Sequence, residues 1–161
     1  NQTPLRKRIA KESRALIKDM KKLKRIPQAV LDIHQDDEIP KRNHHYIIIA
    51  GKKHDFYTKM MEKASKHITI LKNIALPQQT VDISGFNSTT PKILKTKIKK
   101  SYTTDNNGIV SIHDGSITDY LYRKSAKYAV AIETDTQMPL KKVQAINLLW
   151  IKGLIDRIAK G

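Results

Sequence analysis

Apolar residues in this chain follow two rhythms: one recurs every three to four positions, the other runs in short unbroken blocks. Over residues 4 to 25, Leu5, Ile9, Leu16, Ile17, Met20 and Leu23 share one face of a predicted helix. Pro4 suits its first turn. Lysines and arginines line the other face, densest from Lys18 to Arg25, where cations suit a helix C-terminus. Pro27 stops the helix, and Gln28 to Ile33 is short and apolar enough for a strand buried in a sheet. The charged stretch from Asp36 to Asn43, with Pro40, reads as a loop. His44 to Ala50 reads as a second buried strand closed by Gly51. Asp55 to Ser65 predicts a helix, with Phe56, Met60 and Ala64 at four-residue spacing.

Ile68 to Leu76 fits either a helix end or a strand and is stopped by Pro77. Thr80 to Lys100 reads as strand or irregular chain, broken at Gly85 and Pro91. Asp105-Asn106-Asn107-Gly108 is a turn by residue chemistry. Ser116 to Lys124 predicts a helix capped by Ser116, with Asp119 at the third position. Tyr128 to Glu133 is a third buried strand. Pro139 opens a last helix striped by Val143, Ile146, Leu149, Trp150, Leu154, Ile155 and Ile158. Helices and buried strands in this order predict an α/β fold, with helices packed on a mixed, mostly buried sheet.

At 161 residues, with 39% apolar and 29% charged side chains, the chain has enough material for one core. It reads as a single domain or as part of a larger one, and starting at Asn1 rather than Met fits the second. With no cysteine, disulfides, thiolate nucleophiles and cysteine zinc knuckles are excluded. The apolar blocks fall well short of the roughly 20 residues of a membrane-spanning helix. The net charge of +16 raises the question of a polyanionic partner. Lysine far outnumbers arginine and no aromatic residues interleave the basic runs, so solvated lysine faces are favoured and nucleic acid is disfavoured.

Chemistry concentrates at two strand ends. His34 follows Val30-Leu31-Asp32-Ile33, and Glu133 follows Val130-Ala131-Ile132. A neutral imidazole can ligate a metal and a carboxylate can move protons, and α/β sheets place such groups at the carboxyl ends of strands. The other candidates read as structural. His44 and His45 are adjacent in a strand and so face opposite ways. His54, His67 and His113 lack ligand spacing. Asp36-Asp37-Glu38 reads as a solvated loop, Lys95 to Lys100 as an exposed edge strand or equally as a grip on an anionic substrate or partner, and Trp150 as core. Asp32 is assigned no catalytic part.

These residues resemble the zinc carboxypeptidase superfamily, including its succinylglutamate desuccinylase and aspartoacylase-like branch. The resemblance runs through Lys11-Glu12-Ser13-Arg14-Ala15-Leu16, Leu31-Asp32-Ile33-His34, Gly115-Ser116-Ile117-Thr118-Asp119-Tyr120 and the strand ending at Glu133. It implies zinc-dependent hydrolysis of an amide bond, in a peptide or an N-acyl amino acid. In that reading His34 is the third zinc ligand, Glu133 the general acid/base and Ile117 a substrate-binding residue. The family's first two ligands come from an upstream His-x-x-Glu motif, yet only 33 residues precede His34 and none is a histidine. The chain is therefore expected to be the C-terminal portion of a longer metallohydrolase, completed by an N-terminal segment. The alternative is a non-catalytic basic module that keeps the fold and binds a polyanion.

Overall fold

The structure is a computed structural model, describing residues 18–19, 22, 27–36, 39, 43–76, 79–82, 97–100, 102–112 and 117–161. The helix read over residues 4 to 25 lies almost wholly outside the described residues. Within it, Lys18 and Asp19 are helical. Asp37, Glu38, Gly85, Pro91, His113, Gly115 and Ser116 also lie outside.

The described elements run β1 (Ala29–Asp36), β2 (His44–Ile49), α1 (Asp55–Ser65), β3 (Thr69–Ile70), β4 (Gln79–Asp82) and β5 (Lys97–Lys100). They continue with β6 (Ile109–Ser111), α2 (Ile117–Arg123), β7 (Tyr128–Asp135) and α3 (Leu140–Ala159). The α/β architecture expected from the apolar pattern is present: helices pack on a mixed, five-stranded sheet ordered β1-β7-β2-β3, with β6 also paired to β2. β7 lies parallel to β1 and antiparallel to β2. β3 and β6 share the far edge of β2, meeting His44–His45 and Ile47–Ile49 respectively. The ambiguous stretch after Ile68 thus resolves into a two-residue strand, followed by a bridge from Ala75 to Thr103.

β4 and β5 form a separate antiparallel pair, so the Lys97–Lys100 part of the lysine-rich run is a strand.

The strand blocks are rich in Ile, Val and Tyr because both faces of the central strands are buried. On one face, Ile47, Ile49, Tyr128, Val130 and Ile132 meet Met60, Met61, Ala64, Val143, Ile146, Trp150 and Leu154 from α1 and α3. On the other face, Tyr46, Val110 and Ile112 pack with Ile39, Leu71 and Leu76. Gly51 ends β2 with φ +87°, and a Cβ there would lie 1.9 Å from the Tyr122 ring, so only glycine fits.

Several local expectations shift. β1 runs on to Asp36 and β7 to Asp135, so His34 and Glu133 sit inside strands, two residues before their ends. Asp36 is a buried strand residue rather than part of a solvated loop. Asp119 grips Arg123 one turn on, through two 3.0 Å contacts. On α3, Ile155 stands exposed, outside the buried stripe of Val143, Ile146, Trp150 and Leu154.

His44 and His45 are both fully buried, on opposite faces of β2 as strand geometry requires. His45 links three elements. The Trp150 Nε1–H donates to its Nε2 at 3.0 Å, which leaves the proton on Nδ1 to donate to the Glu133 carbonyl at 2.8 Å. Burial pushes its pKa down to about 4 from the ordinary 6.5.

The unfolded chain therefore takes up this proton near pH 6.5, while the folded chain resists it to about pH 4. In that window the unfolded state binds more protons, so stability falls as pH drops from 6.5 to about 4 and levels out below. The span is roughly 3 kcal/mol at most. Urea unfolding across this range should show that slope, and His45→Gln should flatten it. Equal slopes in both proteins would remove His45 as its cause.

Candidate active site

The face of the sheet turned away from α1 and α3 becomes polar toward the carboxyl ends of β1 and β7. The parallel register pairs His34 directly with Glu133, and the antiparallel register pairs Glu133 with Tyr46. Cross-strand partners project on one face about 5 Å apart, so His34, Glu133 and Tyr46 form one row across three strands. One step toward the strand ends lies a second row of Asp36 and Asp135, flanked by His44. One step back lies Asp32, opposite Ala131.

His34 and Asp32 are two residues apart in β1, so they share a face. Their side chains meet at 2.9 Å, His34 Nε2 to Asp32 Oδ1. Asp32 thus shares the face of His34 and touches it; the side chains that alternate away are those of Leu31 and Ile33. The two partners shift in complementary directions. The hydrogen bond to His34 holds the Asp32 carboxyl below its usual range. The hydrogen bond to Asp32, helped by the nearby charge of Glu133, raises His34. Half of the His34 side chain is open to solvent, against 30% for Asp32, so the pair is reachable from outside.

The adjoining row is tightly built. Tyr46 Oη donates to Asp36 Oδ2 at 3.0 Å, and the His44 ring stacks near Tyr46 with its Nε2 at 3.7 Å from the same oxygen. Asp135 accepts the backbone N–H of Asn43 at 2.5 Å and that of Gln137 at 2.9 Å. These bonds pin the turns that leave β7 and enter β2. Sequence reasoning missed Tyr46 and Asp36. The signal was present in the alternation of both strands, but the register that aligns them with Glu133 is a tertiary fact.

Ile117 is the first residue of α2, half-buried, and α2 packs on β1 and β7. His54 and His67 are exposed, and His54 lies against the Tyr57 and Tyr128 rings. Among the described residues no three His, Asp or Glu side chains converge on a point suited to a metal ion. A single ligand does fit at His34: with Nε2 engaged by Asp32, Nδ1 is left, and metal-bound histidines usually give their second ring nitrogen to a carboxylate.

No protein-family model matches the chain, and neither does any curated protein sequence. The fold does match solved structures. The crystal structure of a putative metallopeptidase from Shewanella denitrificans OS217 superposes with a TM-score of 0.55 at 17% identity, over 82% of this chain and 41% of that one. A putative metallopeptidase from Shewanella amazonensis SB2B gives 0.50 at 16% identity, over 80% and 40%. The chain thus has a metallopeptidase-like fold and spans about two fifths of the length of each protein.

A raised histidine pKa marks an interaction that favours the charged ring, present at low pH and lost as pH climbs through the folded value. The depressed Asp32 value works the other way, its contribution being lost as pH falls through it. Asp32→Asn should therefore lower the His34 midpoint in a histidine proton NMR titration, and Glu133→Gln should lower it less. A midpoint unmoved by Asp32→Asn would show that the contact does not persist in solution.

Proposed function

We propose that this chain is part of a zinc-dependent amide hydrolase, acting on a peptide or an N-acyl amino acid. In this reading His34 is a metal ligand through Nδ1, Asp32 orients it, and Glu133 is the general acid/base. The observation that carries it is the in-register pairing of His34 with Glu133 near the carboxyl ends of two parallel strands. The likeness in fold to the two putative metallopeptidases supports it.

The chemistry asked of these residues is modest. When bound, the metal would polarise the scissile carbonyl and acidify a water molecule. As the general acid/base, Glu133 would accept a proton from the attacking water and return it to the departing nitrogen. Its backbone is held by the 2.8 Å bond to His45, so the carboxylate stands on a rigid strand. Asp32 accepts from the far side of the His34 ring and selects the tautomer with Nδ1 free. Ile117, at the start of α2, is assigned a substrate contact.

A catalytic zinc takes three protein ligands, so two more are required. We assign them to a further part of the same hydrolase, placing this chain as its C-terminal portion. β1 supports this: among the described residues it pairs only with β7, which leaves a free edge beside His34. Ile33 is 45% exposed on its opposite face, where a continued sheet would cover it. The share of the two Shewanella chains that this one spans leaves room for such a part.

In the complete protein, Glu133→Gln should cut amide hydrolysis by about 10²- to 10⁴-fold while bound zinc, read by metal analysis, stays at the wild-type level. His34→Ala should lose zinc and turnover together. Wild-type turnover in Glu133→Gln would sink the assignment.

A further inference from the structure

Beyond the candidate site, on the other face of the sheet, seven of the 31 Lys and Arg residues line two neighbouring hollows. α1 and α3 run antiparallel, with a groove of about 380 Å³ between them and a shallower hollow of about 550 Å³ beyond the C-terminal end of α1, reached from α3 by Lys142. Lys59 and Lys63 of α1 and Arg157 and Lys160 of α3 line the first. Lys66, Lys72 and Lys142 line the second, with no carboxylate among its lining residues. Lys59, Lys63 and Lys66 recur at helical spacing, one above the next on a single face.

Opposing charge comes from Asp55 and Asp156, which line the groove, and from Glu62, at helical spacing from Lys59 and Lys66; Lys152 pairs with Asp156 at 3.0 Å. Arg157 is already oriented, its Nε donating to Tyr128 Oη at 2.7 Å with the guanidinium 5.8 Å from that ring's centre. Cations gathered in this way repel one another, and a polyanion laid along them relieves that cost.

We propose that the α1–α3 seam binds the phosphate backbone of a nucleic acid without reading its sequence. The seam is about 16 Å long at 1.5 Å per residue of α1. Duplex DNA presents one charge per roughly 1.7 Å, so its charge density suits a row of this kind. The lysine excess that disfavours nucleic acid in the sequence argues against base readout only: lysine supplies point charges for phosphates rather than the planar forks that read base edges, and the gathering of these cations was not visible in the sequence. A membrane is a poorer match, because a membrane-bound helix carries apolar residues beside its cations. Here the exposed Leu148, Ile151 and Ile155 lie on the flank of α3 turned from α1.

The test uses the 161-residue chain and a labelled, mixed-sequence duplex DNA two helical turns long, read by fluorescence anisotropy across about 50 to 200 mM salt. Log K should fall linearly with log salt, with a slope near −6 if the seven seam cations are all engaged. Replacing Lys59, Lys63 and Lys66 together by Gln should shallow the slope by about 3. Replacing the exposed Lys52, Lys124 and Lys127, which removes the same charge elsewhere, should leave it within about one. Three results would overturn the proposal. They are no binding at the lowest salt, equal loss in both triple variants, or tighter seam-dependent binding to heparin or anionic vesicles than to DNA.

Discussion

The molecule depends on the placing of one strand. β7 lies between β1, to which it is parallel, and β2, to which it is antiparallel, and it is buried over almost its whole length. Its small residues Ala129 and Ala131 alternate with Val130 and Ile132, so one face takes the packing of α1 and α3 and the other lets its neighbours come close. Because side chains alternate strictly, a slip of one residue would turn Glu133 into the helical core and Ile132 toward solvent. The hydrophobic content of β7 therefore enforces the register that sets His34, Glu133 and Tyr46 in a row.

Buried polar bonds reinforce that register where the apolar pattern ends. His45 joins the carbonyl of Glu133 to Trp150 through both ring nitrogens, tying β2, β7 and α3 at one point. An imidazole there is costly unless both nitrogens are satisfied, and both are. Asp135 does similar duty at the end of β7 by accepting two backbone N–H groups. The polar row thus stands on a rigid base.

The two faces of the sheet carry different capacities. One presents an Asp–His pair and a glutamate at the ends of parallel strands, beside an edge that is open among the described residues. The other presents a seam of cations over a packed helical layer. The same core separates the two faces.

Much was legible in the sequence because it is local. The blocks Tyr46 to Ala50 and Tyr128 to Ile132 are strands since nothing but a buried sheet accommodates them, and the periodic run after Pro139 is a helix for the matching reason. His34 and Glu133 stood out as candidates because they are polar residues closing apolar runs. What the sequence could not hold was register and partnership. Whether His34 meets Glu133, whether Asp32 turns to His34, whether Tyr46 joins that row and whether dispersed lysines gather on one seam all depend on strands and helices far apart in the chain. Local propensity is decided by each residue and its near neighbours, whereas these contacts exist only once packing of the whole sheet has selected a single alignment.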